Sequence, residues 1–89
     1  MRADRQRLDK WLWYARFART RSMAARLVTD GFVRVNGQRC ENAAKGLGIG
    51  DVITVAAPHA TAVVRVLDLG ERRGPATEAR ELYEEVSPS

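Results

Sequence analysis

Thr20-Arg21-Ser22-Met23-Ala24-Ala25-Arg26-Leu27-Val28-Thr29-Asp30-Gly31-Phe32-Val33-Arg34-Val35-Asn36-Gly37-Gln38-Arg39-Cys40 carries the strongest local structural signals of the chain. Thr20 is an N-cap residue, because its hydroxyl can accept from an unpaired first-turn N–H, and Ala24, Leu27 and Val28 then fall on one buried helix face. Gly31 stops the helix where a left-handed residue is needed. Phe32-Val33-Arg34-Val35 reads as a short strand, and Asn36-Gly37 is the favoured pair for a type I′ turn into Gln38-Arg39-Cys40. A helix running straight into a β-hairpin points to an α+β domain.

Before this stretch, Asp9 is expected to cap a first helix in which Leu8, Trp11, Leu12 and Ala15 form a single apolar stripe. Trp11 belongs to the core. Trp13, Lys10 and Arg16 point elsewhere around the helix, and Trp13 either stacks on an unpaired base or packs against the sheet or the last helix. Arg16-Phe17-Ala18-Arg19 reads as a frayed helix end and a short connection. After the hairpin, residues 41–50 read as loop. Gly46, Gly48 and Gly50 precede a strand instead of opening a helix, so they form a turn and not a phosphate cradle. Gly50-Asp51 turns the chain into a strand at 52–56, and beyond Pro58-His59 a further strand covers about 62–69. Pro75-Ala76-Thr77 opens a last helix, with Ala79, Leu82, Tyr83 and Val86 on one face and acidic residues on the other. The expected architecture is two N-terminal helices on a small, mostly antiparallel sheet, with a C-terminal helix packed on it.

Eighty-nine residues, 45% hydrophobic and 29% charged, fit one compact domain, with little expected to be left over for a second module or a deep pocket. Cys40 is the only cysteine and His59 the only histidine, so no internal disulfide and no His/Cys metal cluster is expected. No Ser/His/Asp set, no Cys/His pair placed by sequence logic and no phosphate loop with its lysine is found, so neither catalysis nor a cofactor is expected. Asp9, Lys10 and Arg16 break up the region after the basic start, which argues against a signal peptide. Residues 52–69 are interrupted by Pro58, His59 and Arg65 and alternate like strands, which argues against a membrane span. A cytoplasmic protein is expected, and a monomer, since no strong apolar patch is evident.

Charge is unevenly distributed. Residues 1–45 carry eleven Lys+Arg against four Asp+Glu, while residues 46–89 carry four against seven. Thirteen of the fifteen cations are arginine, a residue suited to bidentate phosphate contact, although a GC-rich genome would produce the same bias. Arg16, Arg19, Arg21 and Arg26 gather around the start of the second helix, with Thr20 and Ser22 at its first turn. Backbone N–H groups, hydroxyls and guanidinium groups together can hold phosphate oxygens there. Lys10 from the first helix and Arg34 and Arg39 from the hairpin would widen this into a stripe along a phosphate backbone. Any one of these arginines alone reads as solvated surface; the cluster, with only Asp9 and Asp30 nearby, reads as a site whose counter-charge comes from a partner.

Several fixed spacings agree with one family. Arg7-Leu8-Asp9-Lys10-Trp11-Leu12, Ala15-Arg16-Phe17, Thr20-Arg21-Ser22, Ala25, Gly31, Val33, Val35-Asn36-Gly37 and Gly50-Asp51 resemble the S4-type, or αL-type, RNA-binding domain. That domain occurs in ribosomal small-subunit protein four, pseudouridine synthases and tyrosyl-tRNA synthetases. Asp9-Lys10-Trp11-Leu12-Trp13-Tyr14-Ala15-Arg16, Arg72-Arg73-Gly74-Pro75-Ala76 and Glu81-Leu82-Tyr83-Glu84-Glu85 resemble, more narrowly, the bacterial fifteen-kilodalton heat-shock protein family. This resemblance implies a non-enzymatic protein that binds structured ribosomal RNA, on large subunits carrying a nascent chain on tRNA, with Arg16, Thr20, Arg21 and Lys45 at the RNA. It implies an N-terminal extension at 1–6, the RNA-binding domain at 7–70 and a C-terminal turn and helix at 71–89. Two departures stand out: Glu41-Asn42-Ala43-Ala44-Lys45 replaces a Lys-Pro-Ser stretch, and the sequence ends at Ser89 where some members continue into a long basic tail. The alternatives are an RNA-targeting subunit of a separately encoded modification enzyme, and an adaptor using Glu78, Glu81, Glu84 and Glu85.

Overall fold

The computed structural model describes residues 5–57 and 60–86, so the Pro58-His59 break lies outside the described residues. In chain order the elements are β1 (Gln6–Arg7), α1 (Leu8–Tyr14), α2 (Arg21–Thr29), β2 (Val33–Val35), β3 (Gln38–Arg39), β4 (Gly46–Leu47), β5 (Val52–Ala57), β6 (Ala60–Val66), α3 (Ala76–Ala79), a 3-10 turn (Arg80–Leu82) and β7 (Tyr83–Glu85). Five strands form an antiparallel sheet in the order β3-β2-β5-β6-β7, and β1 pairs with β4 separately. The class is α+β, with two N-terminal helices on an antiparallel sheet.

The expected stripe is the core: Leu8, Trp11 and Leu12 are fully buried and Ala15 nearly so. They meet Ala24 and Val28 from α2 and the inward residues Val33, Val35, Ile53, Val55, Val64 and Val66 of the sheet. Burying side chains of this size contributes about 1.5–3 kcal/mol each. The indole N–H of Trp11 donates to the Asp68 carbonyl at 2.9 Å, so the ring is buried with its one polar atom satisfied. Asn36 and Gly37 sit at φ 53° and 83°, the left-handed pair that a type I′ turn requires.

Four local features differ from expectation. Asp9 is not a cap. The first N–H groups of α1 instead donate to carbonyls of the 43–45 segment, Leu8 to Lys45 at 2.9 Å and Asp9 to Ala43 at 3.0 Å. The same segment leads into β4, so residues 41–50 are not all loop: pairing with β1 carries Leu47 fully into the core. The end of α1 is closed rather than frayed. Arg16, at φ 66°, donates from its backbone N–H to Trp13, and Phe17 donates to Leu12, the same closure that Gly31 and Phe32 give α2.

The fourth concerns the C-terminus. Helix α3 is only four residues long, and Tyr83–Glu85 leave the helical path to pair with Val64, Arg65 and Val66. The spacing of Ala79, Leu82, Tyr83 and Val86 suits a helix, but the open edge of β6 offers a backbone ladder. Glu84 also pairs with Arg65 across it, and the Tyr83 ring lies 5.1 Å from Phe17 and 6.3 Å from Trp11. Strand β6 itself begins and ends slightly earlier than expected, at Ala60–Val66. Among the described residues, no helix is long and apolar enough to cross a membrane.

Candidate nucleic-acid interface

Thr20 caps α2 as its sequence position requires: the backbone is extended and Oγ1 accepts from the Met23 N–H at 3.1 Å. Arg19, Arg21 and Ser22 are all exposed around this end. The Arg21 and Ser22 N–H groups have no acceptor among the described residues, which leaves two donors at the positive end of the helix. Arg19 has no ion-pair partner among the described residues, so its guanidinium is free for an anion.

Asp9 organises the neighbouring charge. Its carboxylate is 5% exposed and accepts from Nε and Nη2 of Arg7, both at 3.1 Å, while Nε of Arg21 stands 3.9 Å away. A buried carboxylate between two exposed guanidinium groups restricts their rotamers without covering their outer N–H groups. The backbone bond from Leu8 to Lys45 brings exposed Lys45 to the same end of α1, and the Arg5 side chain packs across Gly46 beside it. Arg7 and Arg5 were not among the site residues expected from sequence. Arg7 is linked to α2 only through Asp9, a tertiary relation that no local spacing encodes.

The other candidates lie elsewhere. Lys10 is half-buried, with Nζ 5.8 Å from the centre of the Tyr14 ring. Arg16 spends Nε on the Gly74 carbonyl at 3.0 Å, so this arginine ties the C-terminal turn to α1. Arg26 is exposed in the last turn of α2, where a cation complements the negative helix end. Arg34 and Arg39 are cross-strand neighbours in the hairpin. Arg34 lies between buried Val33 and Val35, on the sheet face turned away from the core. Arg39 pairs with Glu41 at 2.9 Å and covers Gly31, at the opposite end of α2 from Arg21. That helix is about 12 Å long at about 1.5 Å per residue. The ten candidates therefore divide. Arg19, Thr20, Arg21, Ser22 and Lys45 gather about the N-termini of both helices, Lys10 and Arg16 lie on α1 and its end, and Arg26, Arg34 and Arg39 lie apart. Trp13 is half-buried, 5.7 Å from the Tyr14 ring, with the Arg73 guanidinium 6.0 Å from its centre.

Residues 6–53, which span both helices, the hairpin and the Asp9 hub, match the S4 domain model. The chain belongs to the S4 domain family. Beyond the S4 domain, the similarity extends over most of the sequence. Heat shock protein 15 of Escherichia coli strain K12 is 41% identical over 83 residues, 93% of this chain and 62% of that protein. The heat shock protein 15 homolog of Aeromonas salmonicida is 45% identical over the same share of each. A solved structure of Vibrio cholerae heat shock protein 15 superposes with a TM-score of 0.88 at 40% identity, covering 94% of this chain and 84% of that one. The chain thus spans about 62% of the length of the curated relatives it matches. An S4 RNA-binding domain with this constellation is suited to holding phosphate groups.

Proposed function

We propose that this chain is a non-enzymatic binder of structured ribosomal RNA that acts on large ribosomal subunits carrying a nascent chain on tRNA, in a stalled-ribosome recovery or heat-shock role. The observation that carries the RNA reading is the α2 N-terminus. There Arg19, Arg21 and Ser22 are exposed beside two N–H groups without an acceptor among the described residues, and the nearby carboxylate of Asp9 is already engaged by Arg7. Such a surface reads shape and phosphate spacing more than base identity. The likeness to heat shock protein 15 supports the heat-shock role, and a 38% identity over 72 residues to a small ribosomal subunit protein uS4 of Xanthobacter autotrophicus supports a ribosomal RNA target.

Gradient sedimentation of the tagged protein in bacterial lysate, at low and at moderate salt, tests this reading. Migration with large subunits at low salt, lost in an Arg19→Ala/Arg21→Ala variant, is the expected result. Wild-type protein that stays at the top of the gradient at both salts overturns the ribosomal assignment. Arg16 is left intact in this variant because its hydrogen bond to Gly74 would confound folding with binding. The solved Vibrio cholerae relative is described as trimeric, whereas the sequence suggested a monomer, so light scattering of the purified chain belongs beside the gradient.

A further inference from the structure

Arg72 and Arg73 are adjacent in sequence and opposite in circumstance. Arg72 Nη2 donates to both carboxylate oxygens of Glu78, at 3.0 and 2.9 Å, so its charge is matched within the fold. Arg73 has no ion pair among the described residues. Its Nε is buried without an acceptor, and its guanidinium lies over the Trp13 ring. A cation kept on an aromatic face with its charge unmatched is an arrangement completed by an anion from outside. Only Nε is fully buried; the two Nη groups of Arg73, which make no hydrogen bond among the described residues, are the donors a phosphate oxygen can meet.

The turn carrying Arg73 is held in place by α1. Tyr14 Oη donates to the Glu71 carbonyl at 3.3 Å, Arg16 Nε donates to Gly74 at 3.0 Å, and Gly74 is buried against Glu78. Arg16 reaches that turn from the end of α1, at the start of the connection whose other end carries Arg19 and the Thr20 cap. We propose that Arg73 contacts an RNA phosphate, so that the RNA surface continues from the α1–α2 connection across Arg16 and Trp13 onto the turn at residues 71–74, outside the S4-matched segment. This rests on the RNA reading above and adds to it a residue that residues 6–53 do not include.

The test is a titration of deproteinised bacterial large-subunit ribosomal RNA with the full chain at several salt concentrations, comparing wild type, Arg73→Gln and Arg72→Gln. Both variants lose one positive charge, so a net-charge effect moves them equally. The expected result is that Arg73→Gln weakens binding about three- to tenfold and lowers the slope of log affinity against log salt by about 0.9, while Arg72→Gln keeps the wild-type slope. Equal losses in the two variants, or a wild-type slope in Arg73→Gln, overturn the proposal and leave the RNA reading standing. Wild-type protein with no salt-dependent binding overturns both. Should Arg73→Gln melt below the assay temperature, Arg73→Lys replaces it. That variant keeps the charge but not the planar fork, so weaker binding at an unchanged slope is expected, and wild-type affinity overturns the proposal.

Discussion

Asp9 shows how one buried carboxylate can serve a cationic surface. By charge alone, Asp9→Asn should tighten RNA binding, since it removes a negative group from a basic patch. The geometry predicts the opposite sign, because the carboxylate holds Arg7 through two bonds and steadies Arg21. Weaker binding in a titration of ribosomal RNA is therefore expected, together with a loss of roughly 1–3 kcal/mol in denaturant unfolding from disrupting charge-assisted bonds at a buried acid. Tighter binding by the variant would refute the positioning role. Arg16 and Arg19 make a second contrast at this scale. Arg16→Ala loses the bond to Gly74 and should cost about 1 kcal/mol, whereas Arg19→Ala should stay within about 0.5 kcal/mol and lose only RNA affinity. Equal melting midpoints for these two variants would argue against the tie. Thr20 was legible in the sequence because a cap acts within one turn. Asp9 was misread as a cap because the carbonyls that replace it come from residues 43 and 45, which only the folded chain brings to α1.

Elements were legible where one local rule governs them and illegible where a distant neighbour decides. The Asn36-Gly37 turn, the Gly31 stop and the apolar stripe of α1 were each specified within a few residues, and each is present. The segment after Ala79 was not, because its helical spacing competes with an open strand edge more than a dozen residues earlier in the chain. Two-residue β4 escaped for the same reason: nothing within Gly46–Leu47 announces pairing with Gln6–Arg7. The strand assignment makes a prediction about Tyr83, whose ring packs with Phe17 and Trp11 as β7 closes the sheet. Tyr83→Ala should destabilise the domain by about 2–4 kcal/mol, near the lower end for truncating an aromatic in a core because the ring is partly exposed. Tyr83→Phe, which keeps the ring, should stay within about 0.5 kcal/mol. If alanine here is as mild as phenylalanine in urea unfolding, β7 does not stabilise the fold.

At the scale of the whole molecule, charge segregation becomes orientation. The basic first half supplies both helices and the hairpin, while the more acidic second half supplies the far edge of the sheet and the C-terminal turn. Two of the seven acids there are matched internally, Glu78 by Arg72 and Glu84 by Arg65, so these two weaken the positive field little. Among the described residues, Arg7, Arg19, Arg21 and Lys45 converge at the α1 and α2 N-termini, with Arg5 packed across Gly46 beside Lys45. With about four phosphate contacts there and a fifth at Arg73, log affinity for structured RNA should fall against log salt with a slope of about −4.5, or between about two and three orders of magnitude between 50 and 200 mM. The hairpin pair, Arg34 and Arg39, lies on the far face and the far end of α2, with Arg39 already matched by Glu41. If RNA meets the N-terminal surface and Arg73 but not the hairpin, Arg34→Ala should leave that slope unchanged, whereas Arg19→Ala should lower it by about 0.9. A slope lowered equally by both substitutions would mean that RNA wraps around the edge of the sheet. A wild-type slope shallower than about −2 would mean that fewer than three cations meet phosphate, too few for the surface described.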